Sequence, residues 1–380
     1  MKLRRSAMVL CISLYMAISL TGCGLFDSVK SSVTDELGNL VVGEAQQVDT
    51  ISEDKYAYSC LMDEEKSVYD QVLNAILEHA DKIAVSTKDE TVLEKAYNCV
   101  MADYGGLFWV SGYQFNTYTS GDTVIGLEFM PKYAMTQEER ETTQAQIDSV
   151  VTEWLSGVSL NASDYDKVKY VFETLINKVD YVVDSENNQN IISVFVNEQT
   201  VCQGYADAAL YLLEQLGVPS TIVTGTANGE PHAWNLVLID GNYYFLDVTW
   251  GNSRYMDLDA TEQKTINYAY MNMTSEEISA THTAEVFYTV PECTATEANY
   301  YYREGKYFDS WDADGIGSIF GNAWKNQDAI VSVKLSNVSL YDKTMSYFID
   351  EQHISDYCRG LRQLSYIEDE GTCVLTIRLR

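Results

Sequence analysis

Three side chains that together can form an acyl-enzyme lie in the middle of this 380-residue chain. They are Cys202, His232 and Asp247. A cysteine attacks only as its thiolate, a nearby imidazole can take and return the thiol proton, and a carboxylate can hold that imidazole in the required tautomer. We therefore treat these residues as candidate nucleophile, base and orienting group.

Cys202 is predicted to begin a helix. Apolar residues recur at helical spacing from Tyr205 to Leu216, and the pattern ends at Gly217 with Pro219 two residues later. The N-terminus of a helix has unpaired N–H groups and the positive end of the macrodipole, which stabilise a thiolate and can donate to an oxyanion. The position of Cys202 thus favours nucleophilic chemistry.

Two other residues of the same helix affect the surroundings of this thiol. Gly204 leaves room for the close approach of another chain segment or of a substrate. Asp207 lies further along, where its negative charge would mildly disfavour the thiolate. The helix therefore contains one feature that opposes the proposed nucleophile.

His232 and Asp247 lie on a predicted β-hairpin. Strand-like residues 232–239 and 242–250 flank an Asp-Gly turn signal at 240–241. A two-residue turn places His232 and Asp247 on one face as diagonal neighbours, roughly 7–8 Å apart at the backbone. A three-residue loop would put them on opposite faces, so the contact depends on the turn.

Three motifs, in chain order, resemble the transglutaminase-like core of the papain-type cysteine enzymes. They are Cys-Gln-Gly-Tyr-Ala from Cys202, His-Ala-Trp-Asn from His232 and Leu-Asp-Val-Thr-Trp at 246–250. The resemblance covers roughly residues 165–290, and the segment ending at His282 resembles the tail of bacterial members. It implies an α+β fold in which the helix bearing the cysteine packs on an antiparallel sheet.

The resemblance also implies a reaction. Cys202 would form an acyl-enzyme from an amide of a protein or peptide, with His232 as base and acid, Asp247 as its orienting group, and no cofactor. Water or an amine could then take the acyl group, and the triad does not distinguish them. Trp234 and Trp250 are candidate substrate-binding walls of the cleft, with core packing as the competing interpretation. A non-catalytic surface module that binds protein or glycan on the same fold is the alternative function.

The N-terminus is predicted to be an export signal. A basic head with Lys2, Arg4 and Arg5 precedes an apolar run at 7–20, and small residues then lead to Cys23. The run is short for a transmembrane helix, which is the competing interpretation. The Leu-Thr-Gly-Cys sequence resembles a bacterial lipobox, which implies cleavage before Cys23 and lipid on its thiol. We expect a lipoprotein on the extracytoplasmic face of a bacterial cell membrane.

Composition excludes some classes of partner. The formal net charge is −31, with 46% hydrophobic residues, which is typical of an acidic globular protein with sizeable cores. Such a surface repels nucleic acid, so we predict no nucleic-acid partner. The chain has 4 histidines and no Cys-x-x-Cys pair, so no zinc site is predicted.

Disulfide pairing stays open at the level of sequence. If the thiol of Cys202 is free, five cysteines remain after Cys23, and five cannot all pair within one chain. Two pairings are compatible with their positions: Cys60 with Cys99, and Cys358 with Cys373.

Periodicity and turn signals divide the chain into five segments. They are a signal peptide at 1–22, a tether at 23–55, an N-terminal α/β domain at 56–135, a catalytic domain at 136–298 and a small C-terminal α/β domain at 299–380. A capping box from Thr136 to Glu139 begins the catalytic domain. The C-terminal domain shows no residues that suggest chemistry, and we expect it to contact a partner or support the fold.

Overall fold

A computed structural model describes residues 35–252 and 265–379. The predicted signal peptide and Cys23 lie outside these ranges. Within the ranges, no helix combines the length and apolar character that a membrane span requires. The fold is α+β, as predicted, with helices packed against three antiparallel or mixed sheets.

The longer helices follow the periodic apolar patterns of the sequence. Their bounds are α1 Asp63–Leu77, α2 Glu90–Asp103, α3 Gln137–Leu155, α4 Asp164–Lys178, α5 Cys202–Gln215, α6 Ala313–Asn326 and α7 Val338–Met345. The capping box predicted at Thr136 is present, since its hydroxyl accepts from the N–H of Glu139 and the Glu139 carboxylate accepts from the N–H of Thr136.

Short helical turns connect the longer elements. They comprise residues 35–42, Tyr56–Ser59, Ile191–Phe195, Val248–Gly251, Ser275–Ser279, Tyr300–Arg303 and Ile354–Tyr357, a 3₁₀ turn at Tyr268–Tyr270 and a π-helical turn at Ser346–Asp350. The helical turn at Ile354–Tyr357 is followed by Gly360, whose φ of 84° lies in the left-handed region that favours glycine.

The strands form three sheets and one short pair. Their bounds are β1 Ile83–Val85, β2 Val110–Ser120, β3 Thr123–Tyr133, β4 Asp180–Tyr181, β5 Gln199–Thr200, β6 Ser220–Ala227, β7 Glu230–Ile239, β8 Asn242–Leu246, β9 His282–Ala284, β10 Tyr307–Phe308, β11 Ile330–Leu335, β12 Leu364–Asp369 and β13 Val374–Leu379. The sheet orders are β1-β3-β2, β8-β7-β6-β9 and β10-β11-β13-β12, and β4 pairs with β5.

Helix α5 packs on the central sheet, β8-β7-β6-β9, which is antiparallel throughout. This arrangement agrees with the fold that the resemblance implies. Strands β6 to β8 form the predicted meander, and β9 adds to the free edge of β6. At this edge a Cβ on Gly225 would overlap the carbonyl oxygen of Thr283, so only glycine allows β9 to approach so closely.

One predicted strand differs from the structure. The strand predicted at 242–250 ends at Leu246. There the carboxylate of Asp247 caps a short helix by accepting from the N–H of Trp250, and this helix replaces the last part of the expected strand.

The described part of the predicted tether packs on the fold. Residues 35–42 are helical, and a Cβ on Gly38 would overlap the carbonyl oxygen of Ile125 in β3. The side-chain amide of Gln71 also donates to the carbonyl oxygen of Gln46 at 3.0 Å. These contacts join the segment to β3 and α1, so residues 35–46 pack on the N-terminal unit instead of forming the predicted tether.

The apolar core extends across the predicted boundary at residue 135. One cluster of buried side chains contains residues of α1 and α2 together with residues of α4, α5 and the central sheet. A second cluster fills the C-terminal unit between α6, α7 and the sheet β10-β11-β13-β12. The N-terminal and catalytic segments thus share a core, while the C-terminal segment has one of its own.

Candidate active site

The thiol of Cys202 lies at the start of α5. Val201 is the N-cap residue, and the N–H of Tyr205 donates to its carbonyl oxygen at 3.1 Å. The N–H groups of residues 202–204 therefore precede the first hydrogen bond within the helix. Cys202 is half-buried, and the predicted helix start is confirmed.

Several contacts fix the first turns of α5. A Cβ on Gly204 would overlap the hydroxyl of Thr200 and lie 3.1 Å from that of Ser193, so the glycine serves the close approach of another segment. The side-chain amide of Asn235 on β7 donates to the carbonyl oxygen of Ala206 at 2.9 Å. The helix that carries the thiol is thus tied to the strand that carries the histidine.

The hairpin has the predicted turn and register. Ile239 pairs with Asn242, and Asp240 and Gly241 have φ of 50° and 83°. Positive φ at both central residues gives a turn whose twist matches that of the strands. His232 and Asp247 lie beyond the last paired residues of the hairpin and still meet, as the diagonal relationship predicted.

The three candidate catalytic residues come together. Nε2 of His232 lies 2.9 Å from Oδ2 of Asp247 and is its hydrogen-bond donor, since a carboxylate only accepts. Interaction with Cys202 also raises the pKa of this imidazole, which indicates that the thiol lies nearby. Because Nε2 is hydrogen-bonded to Asp247, Nδ1 is the nitrogen left to exchange a proton with the sulfur.

The electrostatics of the site favour a protonated imidazole. Burial lowers the pKa of His232, but the charge and hydrogen bond of Asp247 and the contact with Cys202 outweigh it and raise the pKa to about 10. Burial raises the pKa of Asp247, yet His232 and His282 hold it well below its usual range. His232 is 7% exposed and Asp247 fully buried, so solvent screens this pair weakly.

His282 is a member of the site that the sequence did not assign. Its Nε2 donates to Oδ2 of Asp247 at 3.1 Å, the same oxygen that accepts from His232. Its Nδ1 lies 2.8 Å from the hydroxyl of Thr281. The available signals were the scarcity of histidine and the resemblance of this segment to bacterial members, and neither gives the contact with Asp247.

Trp234 and Trp250 surround the two imidazoles. The ring of Trp234 stacks at 6.0 Å from that of His232, and the ring of Trp250 lies 4.8 Å from that of His282. Both indoles are buried, with 2% and 7% exposed. The geometry supports a role in holding the imidazoles, and a substrate contact stays a prediction.

The same cluster contains potential metal ligands. Ligand atoms of His232, Asp247 and His282 lie within 4.8 Å of one another, although the sequence predicted no zinc site. Hydrogen bonds between these residues already account for the arrangement. We therefore interpret the cluster as an imidazole–carboxylate network.

The cysteines other than Cys202 do not pair in the structure. Free thiols are present at Cys60, Cys99, Cys293, Cys358 and Cys373. Neither pairing that the sequence left open is formed. Burial raises the pKa of Cys99 to about 12 and that of Cys293 to about 11, which makes both poor nucleophiles.

Comparisons with known proteins confirm the transglutaminase-like resemblance. Residues 153–248 match the family model of the transglutaminase-like superfamily. Kyphoscoliosis peptidase of Mus musculus is 23% identical over 132 residues, which are 30% of this chain and 20% of the mouse protein. The chain thus spans about a fifth of the length of this curated relative.

Two solved structures are similar to parts of this chain. A TGase is similar at 14% identity with a TM-score of 0.28, covering 41% of this chain and 55% of the TGase. The periplasmic domain of TgpA from Pseudomonas aeruginosa is similar at 13% identity with a TM-score of 0.24, covering 33% and 54%.

Proposed function

We propose that this chain, which carries a transglutaminase-like domain, is a cysteine enzyme that forms an acyl-enzyme from amide bonds of proteins or peptides. The observation that carries the proposal is the hydrogen bond of 2.9 Å between His232 and Asp247, on an imidazole whose pKa is also raised by the nearby Cys202. This is the arrangement that a nucleophilic thiol requires.

The first chemical step is attack by the sulfur. With the proton on His232, the Cys202 thiolate adds to the amide carbonyl carbon, and a C–S bond forms as the carbonyl oxygen becomes an oxyanion. The N–H groups of residues 202–204 point out of the start of α5 and supply donors for that oxyanion. The imidazolium beside the thiolate offsets its charge.

The second step releases the amine. The C–N bond breaks, the proton on His232 passes to the leaving nitrogen, and a thioester remains on Cys202. The neutral imidazole then takes a proton from water or from a second amine as its oxygen or nitrogen bonds to the acyl carbon, and the C–S bond breaks with release of the Cys202 thiolate. Water gives hydrolysis, and an amine gives transfer. Asp247 keeps Nδ1 of His232 toward the sulfur through both steps by accepting from Nε2.

The proposed location follows from the N-terminal sequence. A basic head, an apolar run and Cys23 suit a lipid-anchored protein outside a bacterial membrane. The acidic surface suits protein or peptide partners better than nucleic acid. Metabolic labelling with a fatty-acid alkyne in an expression host tests the anchor, and loss of label in Cys23→Ala is the expected result.

The catalytic proposal is tested by the reactivity of the thiol. Iodoacetamide labelling near pH 7, followed by peptide mass spectrometry, gives a rate for each cysteine. We expect Cys202 to react fastest and His232→Ala to slow it about tenfold or more. His353→Ala, which changes a histidine of the C-terminal unit, is the matched control and should leave the rate unchanged.

The outcomes separate the enzyme from a binding module. Labelling of Cys202 no faster than that of Cys60 or Cys373 would overturn the enzymatic proposal and favour binding without catalysis. If Cys202 is reactive, incubation with a proteome and a fluorescent primary amine distinguishes the second step. Incorporation of the amine indicates transfer, whereas new peptide termini indicate hydrolysis.

A further inference from the structure

A second carboxyl group lies near the candidate nucleophile, on the same helix. Asp207 on α5 is 8% exposed, and its Oδ1 accepts from the side-chain amide of Gln203 at 2.9 Å. In the described ranges no lysine, arginine or histidine forms an ion pair with it. Burial raises the pKa of this carboxyl well above its usual range, opposed by the Gln203 bond. A cationic group placed beside this carboxyl would favour its ionised form.

Asp207 borders two cavities that meet at its side chain. The first, of about 280 Å³, lies between α2, α5, β6 and residues 286–288. The second, of about 300 Å³, lies between α5 and the turn that follows α2. Met101, Gln189 and Asp207 line both cavities, so the two cavities adjoin at this residue.

The lining of these cavities combines apolar walls with one charged group. Met101, Ile222 and Val286 supply apolar surface in the first cavity, and Leu107 and Phe108 supply it in the second. Within the described lining, the carboxyl of Asp207 is the single charged side chain. Such a surface complements a long aliphatic side chain that ends in a cation, since the stem contacts apolar atoms while the head pairs with the carboxylate.

Glycines hold the cavity wall against the helix. A Cβ on Gly105 would overlap the carbonyl oxygen of Asp207, and one on Gly106 would lie 2.9 Å from the ring of Tyr211. The turn after α2 therefore packs directly on α5 at Asp207. This close packing fixes the position of the turn relative to Asp207.

The distance from the thiol suits a neighbouring residue of a bound peptide. Asp207 lies five residues after Cys202, and a helix rises about 1.5 Å per residue, which gives roughly 7.5 Å along the axis. An extended peptide advances about 3.3 Å per residue. Gln203, next to Cys202, lines the first cavity. The first cavity therefore extends from the residue next to the nucleophile to Asp207, where a side chain close to the reacting carbonyl can enter it.

We propose that these cavities are a subsite for a lysine or arginine side chain of the peptide substrate, bound through the carboxylate of Asp207. This inference rests on the proposed function, because it concerns the peptide that Cys202 attacks. The amide oxygens of Gln203 and Gln189 add acceptors around the cationic head. The subsite selects a positive charge close to the reacting bond.

The test uses peptide acyloxymethyl ketones, which alkylate a reactive thiol and leave a stable thioether. Matched probes contain lysine, norleucine or glutamate at each of the three positions nearest the ketone. For wild type we expect the lysine probe to label Cys202 at least tenfold faster than the norleucine probe at one position. Asp207→Asn should bring this ratio close to one. Ratios are compared within each variant, so that a general change in thiol reactivity cancels.

Asp148→Asn is the matched control, because Asp148 is an exposed carboxylate that lies outside both cavities. It should keep the wild-type ratio. Equal labelling by the lysine and norleucine probes in wild type would overturn the subsite. A lysine preference that persists in Asp207→Asn would overturn it as well, since the charge would then be recognised elsewhere. Circular dichroism confirms that each variant is folded.

A binding experiment separates this proposal from the catalytic one. Acetyl-Ala-Lys-Ala-amide and its norleucine counterpart are titrated into Cys202→Ala by NMR, where no reaction can occur. Binding of the lysine peptide that Asp207→Asn weakens at least tenfold supports the subsite even if iodoacetamide finds Cys202 inert. Equal affinity for the two peptides overturns the subsite, even if Cys202 proves to be a reactive nucleophile.

Discussion

His282 donates to the same carboxylate oxygen of Asp247 that accepts from the candidate base, at 3.1 Å. The other oxygen of Asp247 accepts from the N–H of Trp250 at 3.0 Å. Three donors therefore fix a carboxylate that has no exposed surface. With Nε2–H directed to Asp247, Nδ1 of His282 accepts from the hydroxyl of Thr281, which sets its tautomer.

His282 is thus expected to act as a positioning residue. Replacing it by alanine leaves part of a buried carboxylate without a donor, at a cost of about 1–3 kcal/mol. We expect His282→Ala to slow iodoacetamide labelling of Cys202 about tenfold. We also expect it to raise the pKa of His232 further, because Asp247 would interact with one fewer donor. Labelling rates and NMR titration of His232 measure the two effects.

The conservative variant distinguishes positioning from packing. His282→Gln can still donate from its amide to Asp247, so it should recover part of the labelling rate. A variant that is unfolded would show no cooperative transition in a thermal melt, which separates loss of the fold from loss of positioning. If His282→Ala leaves both the labelling rate and the titration of His232 unchanged, the shared carboxylate has no role in positioning the base.

The pair of His232 and Asp247 predicts a specific dependence of stability on pH. The pKa of His232 rises from its unfolded value of about 6.5 to about 10, so its contribution is complete below pH 6.5 and is lost as pH rises through 10. The pKa of Asp247 is lowered, so its contribution is present above its unfolded value of about 3.9 and is lost as pH falls. The pair stabilises most between about pH 4 and pH 6.5.

Urea unfolding of wild type and His232→Gln at pH 5, 7 and 9 measures this dependence. The difference in the free energy of unfolding should be largest at pH 5 and smaller at pH 9. His353→Gln is the control, since the ring of His353 is partly exposed and pairs with Asp356 on its own helical turn. A difference for His232→Gln that stays constant from pH 5 to pH 9 would contradict the raised pKa.

Much of the site could be predicted because its signals are local. The start of α5 follows from apolar spacing before Gly217, which has φ of 73°. The meeting of His232 and Asp247 follows from a two-residue turn, because strand parity then fixes the face of every side chain. The sequence did not predict that Asp247 caps a helix, because the apolar run after it is equally compatible with a strand.

The remaining features depend on contacts between distant segments. His282 reaches Asp247 because β9 pairs with β6. The spacing of residues in the sequence does not predict that pairing. For Asp207 the sequence predicted only an effect on the thiolate. The cavity beside it could not be predicted, because α2 and residues 286–288, which are distant from Asp207 in the sequence, form its walls. Strand β12 was not predicted, and its alternating burial is weak. Such features follow from the tertiary arrangement of elements, which local patterns do not encode.

The contact at Gly204 predicts that any side chain there will disturb the nucleophile. A Cβ would overlap the hydroxyl of Thr200 and press on that of Ser193. We expect Gly204→Ala to destabilise the fold by about 1–3 kcal/mol through overpacking and to slow labelling of Cys202 by shifting the first turn of α5. Thermal melts and iodoacetamide kinetics measure both effects.

A double variant is the control for this overlap. Thr200→Ala removes the hydroxyl and should recover part of the stability lost in Gly204→Ala, giving a coupling energy of about 0.5–3 kcal/mol in a double-mutant cycle. Additive losses in the double variant would show that the two positions do not interact as described.

Asp103 joins the N-terminal helices to the central sheet. It is fully buried at the end of α2 and accepts from the N–H groups of Ala57 and Tyr58, and from the hydroxyls of Tyr69 and Thr221. Removal of this acceptor leaves several buried donors without a partner, at about 1–3 kcal/mol each before relaxation. We expect Asp103→Ala to lower the melting temperature more than any other single change proposed for this protein.

Single-donor variants make the link to the central sheet measurable. Thr221→Val removes one donor from β6 while keeping its shape, and Tyr69→Phe removes one donor from α1. Each should cost less than Asp103→Ala, about 0.5–1.5 kcal/mol in urea unfolding. The helices α1 and α2 and the central sheet share one core. Wild type and all three variants should therefore unfold in a single transition. Near-UV circular dichroism and iodoacetamide trapping of Cys99 should both report that transition at the same urea concentration. Loss of protection at Cys99 well before the loss of near-UV signal would show that the N-terminal helices unfold separately from the sheet that carries His232.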